Sequence, residues 1–128
     1  MTIINPPELA APRGYSNGVV MEGRVLFVAG QVGWRSDGRM VSDLFADQFD
    51  QALANVLTIV GAAGGTAESI GRLTIFVVDK SAYQTAQREI GERYRARMGR
   101  HYPAMTLVEV RSLLEQGAVV EIEATAVI

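Results

Sequence analysis

The sequence contains no cysteine and one histidine, His101. The absence of cysteine excludes disulfides, thiolate metal sites and thiol nucleophiles. A single histidine argues against a zinc site and against a catalytic triad built on histidine, so no metal site is predicted.

Long apolar runs and blocks of one charge are also missing. No stretch approaches the ~18 consecutive apolar residues of a membrane-spanning helix, and residues 1–7 lack the basic start and apolar run of a signal peptide. The net charge is −2 at pH 7, and lysine and arginine are spread along the chain. Nucleic-acid binding normally needs a basic surface, so we do not expect a nucleic acid as partner. Without an apolar segment or a signal peptide, we expect no membrane partner and a cytoplasmic location.

The composition is that of an ordinary globular domain. A length of 128 residues with 48% apolar residues predicts one domain over residues 1–128. A chain of this size buries only about two-thirds of its unfolded surface by itself, which favours oligomerisation.

Hydrophobic periodicity predicts the order β-β-α-β-α-β-β. Each predicted helix has an apolar stripe with three- and four-residue spacing; the stripes are Phe45, Phe49, Leu53, Val56, Leu57 and Val60, and Tyr83, Ala86, Ile90, Tyr94 and Met98. The predicted elements are a hairpin of strands at 19–21 and 25–28, a helix from Ser42 or Asp43 to Gly64-Gly65, a strand at 73–78, a helix from about Ser81 to Gly99, and strands at 104–110 and 118–128. This order is typical of an α+β fold in which two helices cover one face of a single mixed sheet. If the second face is apolar, a partner subunit should cover it.

The last predicted strand carries two carboxylates, Glu121 and Glu123, on one face. A carboxylate within an apolar strand is costly unless it is hydrogen-bonded, ion-paired or exposed to water. The residues alone favour a solvated or ion-paired sheet face. The functional alternative is a carboxyl group that performs acid–base chemistry or activates water.

Other candidate residues each have a simple structural explanation. Tyr15-Ser16 offers two hydroxyl groups but lies in a predicted turn, and the glycines of residues 30–33 lack the spacing of a phosphate-binding loop. Trp34 could line a pocket, although one half-buried tryptophan needs no functional explanation. The arginines of the second helix are predicted to form its solvated side, and they are Arg88, Arg93, Arg95 and Arg97.

Six segments resemble, in order and spacing, the landmarks of the RidA (YjgF) superfamily. They are Gly14-Tyr15-Ser16, Ala29-Gly30-Gln31-Val32, the helix with Gln51 and Asn55, the strand 73–79, Tyr102-Pro103-Ala104, and the strand 120–124. The series spans almost the whole chain and is specific as a set. The resemblance implies a chorismate-mutase-like α+β fold and a homotrimer with three ligand clefts between neighbouring subunits.

The resemblance also implies a reaction, and one residue of this chain departs from the family's substrate-binding motif. Well-studied members hydrolyse reactive enamines and imines to a keto acid and ammonia without a cofactor. In them an arginine of a Pro-Ala-Arg-Ser motif grips the substrate carboxylate, and a glutamate of the final strand positions the attacking water. Glu121 matches that glutamate, but Met105 occupies the arginine position. A thioether donates no hydrogen bond, so small 2-imino acids are not the expected substrates.

We therefore predict cofactor-free hydrolysis of an enamine or imine, with Glu121 as the catalytic residue. The predicted substrate-binding residues are Arg13, Tyr15, Ala29, Gly30, Trp34, Met105 and Leu107. Met105, Leu107 and Trp34 would form an apolar pocket for a larger or less anionic compound, and Arg13 is a candidate replacement cation. The alternative is a non-catalytic trimer that binds a small metabolite or a partner protein in the same clefts. Ribonuclease activity, attributed to some family members, fits this acidic chain poorly.

Overall fold

The computed structural model describes all 128 residues and contains six strands and three α-helices. The elements are β1 (Thr2–Ile4), β2 (Gly18–Val20), β3 (Val25–Gln31), α1 (Phe45–Ala62), β4 (Ile70–Val77), α2 (Lys80–Thr85), α3 (Gln87–Met98), β5 (Ala104–Glu109) and β6 (Val120–Val127). A 3-10 turn, Ala67–Ser69, leads directly into β4. No helix combines the length and apolar character needed to cross a membrane.

Four strands form one mixed sheet in the order β3-β6-β4-β5. β6 pairs antiparallel with both β3 and β4, whereas β5 runs parallel to β4. The helices pack on one face of this sheet, so the predicted α+β fold class is confirmed. β1 and β2 form a separate two-stranded antiparallel sheet.

β6 lies inside the sheet because its alternate side chains are apolar. The buried set, which points toward the helices, is Val120, Ile122, Ala124 and Ala126. Residues between them point the other way, because successive side chains of a strand alternate between faces. We call the two sides the helix face and the open face; the open face carries Phe27 of β3, Phe76 of β4, and Glu121 and Glu123 of β6.

The helices complete the core through the predicted apolar stripes. The buried stripe residues are Phe49, Leu53, Val56 and Val60 of α1, and Ile90, Tyr94 and Met98 of α3. On the outer side, Arg93 Nη2 donates to Asp47 Oδ1 at 2.9 Å and to Glu89 Oε1 at 2.8 Å. Hydrogen bonds from Ser42 and Arg93 lower the pKa of Asp47. These polar contacts tie α1 to α3 across the surface.

The predicted hairpin between residues 19–21 and 25–28 is wrong. β2 pairs with β1, and β3 pairs with β6. Gly23 turns the chain at a φ of +141°, and Arg24 then exchanges two backbone hydrogen bonds with Ile128, at 2.9 and 2.8 Å. β3 therefore forms one edge of the main sheet, next to β6, and its other edge pairs with no strand of this chain.

Two helix boundaries differ from the prediction in detail. Ser42 and Asp43 are not the N-cap of α1; the N-cap is Leu44, whose N–H donates to Ser42 Oγ at 3.0 Å. The second predicted helix is divided at Ala86 into α2 and α3, and nothing in the local sequence explains the division. Asp79 caps α2 by accepting from the Ser81 N–H at 2.9 Å.

Gln48 is a buried polar residue whose loss is expected to destabilise the fold strongly. Its Nε2 donates to the carbonyls of Ser42 and Gly117, each at 2.9 Å, and its Oε1 accepts from the Val119 N–H at 2.9 Å. Gln48→Leu would leave these backbone groups without partners, at a cost of roughly 2–4 kcal/mol in the free energy of unfolding. Urea denaturation measures the change, and the exposed Gln84→Leu is the control. A loss below about 0.5 kcal/mol would contradict the assigned role.

Candidate active site

A cavity of about 710 Å³ opens on the helix face of the sheet. Ile75 of β4 and Met105 and Leu107 of β5 contribute apolar side chains to it. The remaining lining residues come from the loop 13–15 and from the helices and the segment before β5; they are Arg13, Gly14, Tyr15, Phe49, Tyr83, Gln87, Ile90, Gly91, Tyr94, Arg95 and Tyr102. We call this cavity the helix-side pocket. Its volume is that of a site for a drug-sized ligand.

The loop that carries Tyr15 is held against the start of β5. Gly14 has a φ of +76°, a left-handed conformation that favours glycine. The buried Ser16 then donates from Oγ to the Tyr102 carbonyl at 2.5 Å and from its N–H to the Pro103 carbonyl at 3.0 Å. Ser16 therefore has a structural role: its two hydrogen bonds hold the loop in place and position Tyr15 at the pocket.

Two tyrosines form a rigid side of the helix-side pocket. The rings of Tyr94 and Tyr102 stack with centroids 5.6 Å apart and an interplanar angle of 14°. Burial, together with the neighbouring Tyr102, raises the pKa of Tyr94, so its phenol stays protonated and donates to the His101 carbonyl at 2.8 Å. The buried His101 places Nε2 2.7 Å from the Ile70 carbonyl, which gives the only histidine a structural partner.

Glu121 lies on the open face, against Gly30. A Cβ atom at position 30 would stand 2.8 Å from Glu121 Cδ and 3.1 Å from Oε1. Only a residue without a side chain lets the carboxyl group approach the β3 backbone this closely. β3 is irregular here, because its register with β6 shifts between Val28 and Gln31. Ala29 and Gly30 are exposed at this irregularity, beside the carboxyl group, and the Ala29 carbonyl accepts from Gln31 Nε2 at 3.1 Å.

The predicted site residues therefore divide into separate groups within one chain. Arg13, Tyr15, Met105 and Leu107 line the helix-side pocket together. Ala29, Gly30 and Glu121 lie on the opposite face of the sheet, because Met105 is aligned with the buried Leu73 whereas Glu121 is aligned with Phe76 of the open face. Trp34 belongs to neither group; it lines a shallow depression with residues of α1 such as Gln51 and Asn55.

Sequence reasoning missed several pocket residues. Tyr83 and Tyr94 belong to the helix stripe predicted for the core, and Gln87 was not singled out. Arg95 was expected on the solvated side of the helix, and it is exposed, but it also lines the pocket. Its position one turn after Gly91 is a signal that could have drawn attention to it, because glycine within a helix marks a close approach or an opening. No group of three or more histidine or acidic side chains is arranged to hold a metal ion.

The fold and this divided site define a small α+β protein with a ligand pocket on one face of its sheet and an isolated carboxyl group on the other. The Endoribonuclease L-PSP family matches residues 6–128. The chain belongs to this family, the RidA superfamily, and the predicted family membership is confirmed.

Individual relatives support the assignment over nearly the full length. The human 2-iminobutanoate/2-iminopropanoate deaminase is 31% identical over 114 residues, which cover 88% of this chain and 79% of that protein. A crystal structure of a Rid family protein of unknown function from Yersinia pestis is 32% identical, with a TM-score of 0.85 and coverage of 99% and 98%. The Escherichia coli protein TdcF with bound serine is 29% identical, with a TM-score of 0.72 and coverage of 100% and 99%.

Proposed function

We propose that this protein hydrolyses a reactive enamine or imine without a cofactor. An enamine first becomes an imine when its β-carbon gains a proton and its nitrogen loses one. Water then adds to the imine carbon, the carbon–nitrogen bond breaks, and the products are a carbonyl compound and ammonia. Water loses one proton as it adds and the second as the carbonyl forms, and the nitrogen gains one proton in each step, so a single carboxyl group that carries protons from oxygen to nitrogen can serve both steps.

The observation that carries this proposal is the Glu121 carboxyl group packed against Gly30. Glu121 stands at the position of the water-activating glutamate to which the family resemblance points. The carboxyl group is half-buried, and the β3 backbone beside it is exposed at the bulge. Backbone groups at Ala29 and Gly30 can orient a substrate while Glu121 takes a proton from water. Relatives that carry a deaminase name support the same reaction class.

A shared site between subunits explains why the predicted residues divide. Glu121 and the helix-side pocket lie on opposite faces of one sheet, so no single chain brings them together. The open face exposes Phe27 to 80% and Val25 to 56%, an apolar surface that is unfavourable in water. A homotrimer in which the open face of one subunit packs near the pocket of the next would cover this surface and complete three sites.

Met105 points the proposal away from small 2-imino acids. Met105 lines the helix-side pocket together with Leu107 and Ile75. An apolar side chain therefore occupies the position at which the family has its arginine. The pocket volume of about 710 Å³ and its tyrosines suit a larger substrate with an aromatic or branched side chain.

The alternative is a trimer that binds a metabolite or a partner protein without turnover. Loss of the arginine favours it, whereas retention of Glu121 against Gly30 favours the enzyme, because a binding protein has less reason to keep a half-buried carboxyl group in an apolar strand. Ribonuclease activity is disfavoured because the chain carries a net charge of −2 and its one histidine bonds a backbone carbonyl.

Ammonia release from freshly generated imines tests the proposal. The panel contains small aliphatic 2-imino acids, aromatic 2-imino acids and uncharged imines, each with and without protein. We expect acceleration over spontaneous hydrolysis, with aromatic imines preferred over small aliphatic ones. A stable trimer that accelerates none of them would favour the binding protein.

Installing the missing arginine is expected to shift the substrate preference. Met105→Arg places a guanidinium in the helix-side pocket, where it can grip a carboxylate with two charge-assisted hydrogen bonds. The kcat/KM ratio for a small 2-imino acid should rise about tenfold or more relative to an uncharged imine. Met105→Leu is the matched control and should leave the ratio unchanged. An unchanged ratio in Met105→Arg would contradict the assigned role of this position.

A further inference from the structure

Two arginines supply the only charged groups that line the helix-side pocket. They are Arg13 and Arg95, and no aspartate or glutamate lines the cavity. A concave site whose walls carry charge of one sign attracts ligands of the opposite sign. The cavity therefore favours an anion, even though Met105 has replaced the expected arginine.

Arg95 differs from its neighbours on α3 because it is free of ion pairs. Arg88 pairs with Glu92, and Arg93 and Arg97 both pair with Asp50. Arg95 forms no salt bridge, so binding an anion would cost it no existing partner.

The guanidinium of Arg95 lies over Gly91, where α3 has no side chain. A Cβ atom at position 91 would meet Arg95 Nη1 at 3.4 Å, so the side chain folds back along α3 over Gly91. Gly91 itself lines the pocket. α3 is a regular helix packed on the core, whereas Arg13 belongs to a loop, so Arg95 is the better-positioned cation.

The rest of the cavity is suited to an apolar body. Tyr83 and Tyr102 contribute aromatic rings, and Ile75, Met105 and Leu107 contribute aliphatic surface. A planar ring or a branched chain would bury its apolar surface there while an attached carboxylate remains near the guanidinium.

We propose that Arg95 binds the carboxylate of an aromatic or branched-chain ligand whose apolar part fills the helix-side pocket. Arg95 thus replaces the arginine lost at position 105, from a different element of the fold. The role of Arg95 in substrate choice rests on the proposed hydrolysis. Binding of the carboxylate by Arg95 does not require turnover.

Calorimetric titration with phenylacetate and phenylacetamide tests this, because the two probes share a shape and differ in charge. We expect the full-length protein to bind phenylacetate at least about tenfold more tightly than phenylacetamide. Arg95→Gln should abolish that preference and leave phenylacetamide affinity within about twofold. Arg39→Gln removes the same charge from an exposed turn outside the pocket and should change neither affinity.

Three results would overturn the assignment. They are equal affinity of the wild-type protein for the two probes, failure of both probes to bind, and a phenylacetate preference that survives Arg95→Gln but is lost in Arg13→Gln. Retention of part of the preference in Arg95→Lys would support a charge contact. If phenylacetate binds through Arg95 but no imine is hydrolysed, the proposed reaction fails and this inference stands. If uncharged imines are hydrolysed but neither probe binds, the reaction stands and this inference fails.

Discussion

Glu121→Gln is expected to lower the kcat for imine hydrolysis at least about 100-fold, because an amide can neither take a proton from water nor return one to the leaving nitrogen. The substitution is nearly isosteric, and the amide can still pack against Gly30. Ligand affinity and oligomeric state should therefore change little. Ammonia release and sedimentation velocity measure these properties on the same preparation.

Glu123→Gln is the matched control for this prediction. Glu123 lies two residues further along β6 on the same face, is exposed, and is aligned with Thr74 rather than with Phe76. Removing its charge should leave hydrolysis within about twofold, since exposed surface charges contribute little. Equal losses in the two variants would point to a general effect of charge on the open face, and an active Glu121→Gln protein would remove Glu121 from the mechanism.

Phe27→Asp is expected to convert the proposed trimer to monomers and to abolish hydrolysis with it. Phe27 stands on the open face with 80% of its surface exposed in one chain. Burying such a side chain between subunits contributes roughly 1.5–3 kcal/mol per site, and an aspartate there adds the cost of desolvating a charge. Light scattering should report a mass near the 13.8 kDa of one chain in place of three times that value.

Leu44→Asp separates an interface effect from a general effect of adding a charge. Leu44 is 66% exposed at the start of α1, on the helix side of the sheet. It should leave the trimer intact. A trimer that survives Phe27→Asp would mean that the open face is not the subunit interface.

The predictable part of the fold is the part that rests on local periodicity. Alternation along residues 118–128 gave the correct faces for Glu121 and Glu123, and the three- and four-residue spacing gave the buried stripe of α1. The pairing of β3 failed, because β2 pairs with the N-terminal β1 and β3 pairs only with the distant β6, at the edge of the main sheet. A hairpin signal carries no information about a strand about one hundred residues later.

The placement of the candidate site residues on two faces of the sheet could not be predicted from the sequence, for a similar reason. That Met105 faces the helices follows from its parallel alignment with Leu73, a register between strands separated by two helices. The pocket-lining position of Arg95 could not be predicted from the sequence. Charged residues within one helical turn can face either the solvent or the pocket, and their spacing does not distinguish the two. Glu121 was accessible from the sequence because the family resemblance identified it and the strand period oriented it.

Subunit complementation tests the central claim, that each active site combines Glu121 of one subunit with the helix-side pocket of another. One inactive variant is Glu121→Gln, and the other is Leu107→Trp, which fills the pocket. Each is assayed alone and after joint refolding into mixed trimers. In a closed ring of heterologous interfaces, random mixing should restore about one quarter of the wild-type sites. Recovery of ammonia release near that fraction is the predicted result. Mixed trimers that remain as inactive as their parents would contradict a shared site and place catalysis, if any, within a single chain.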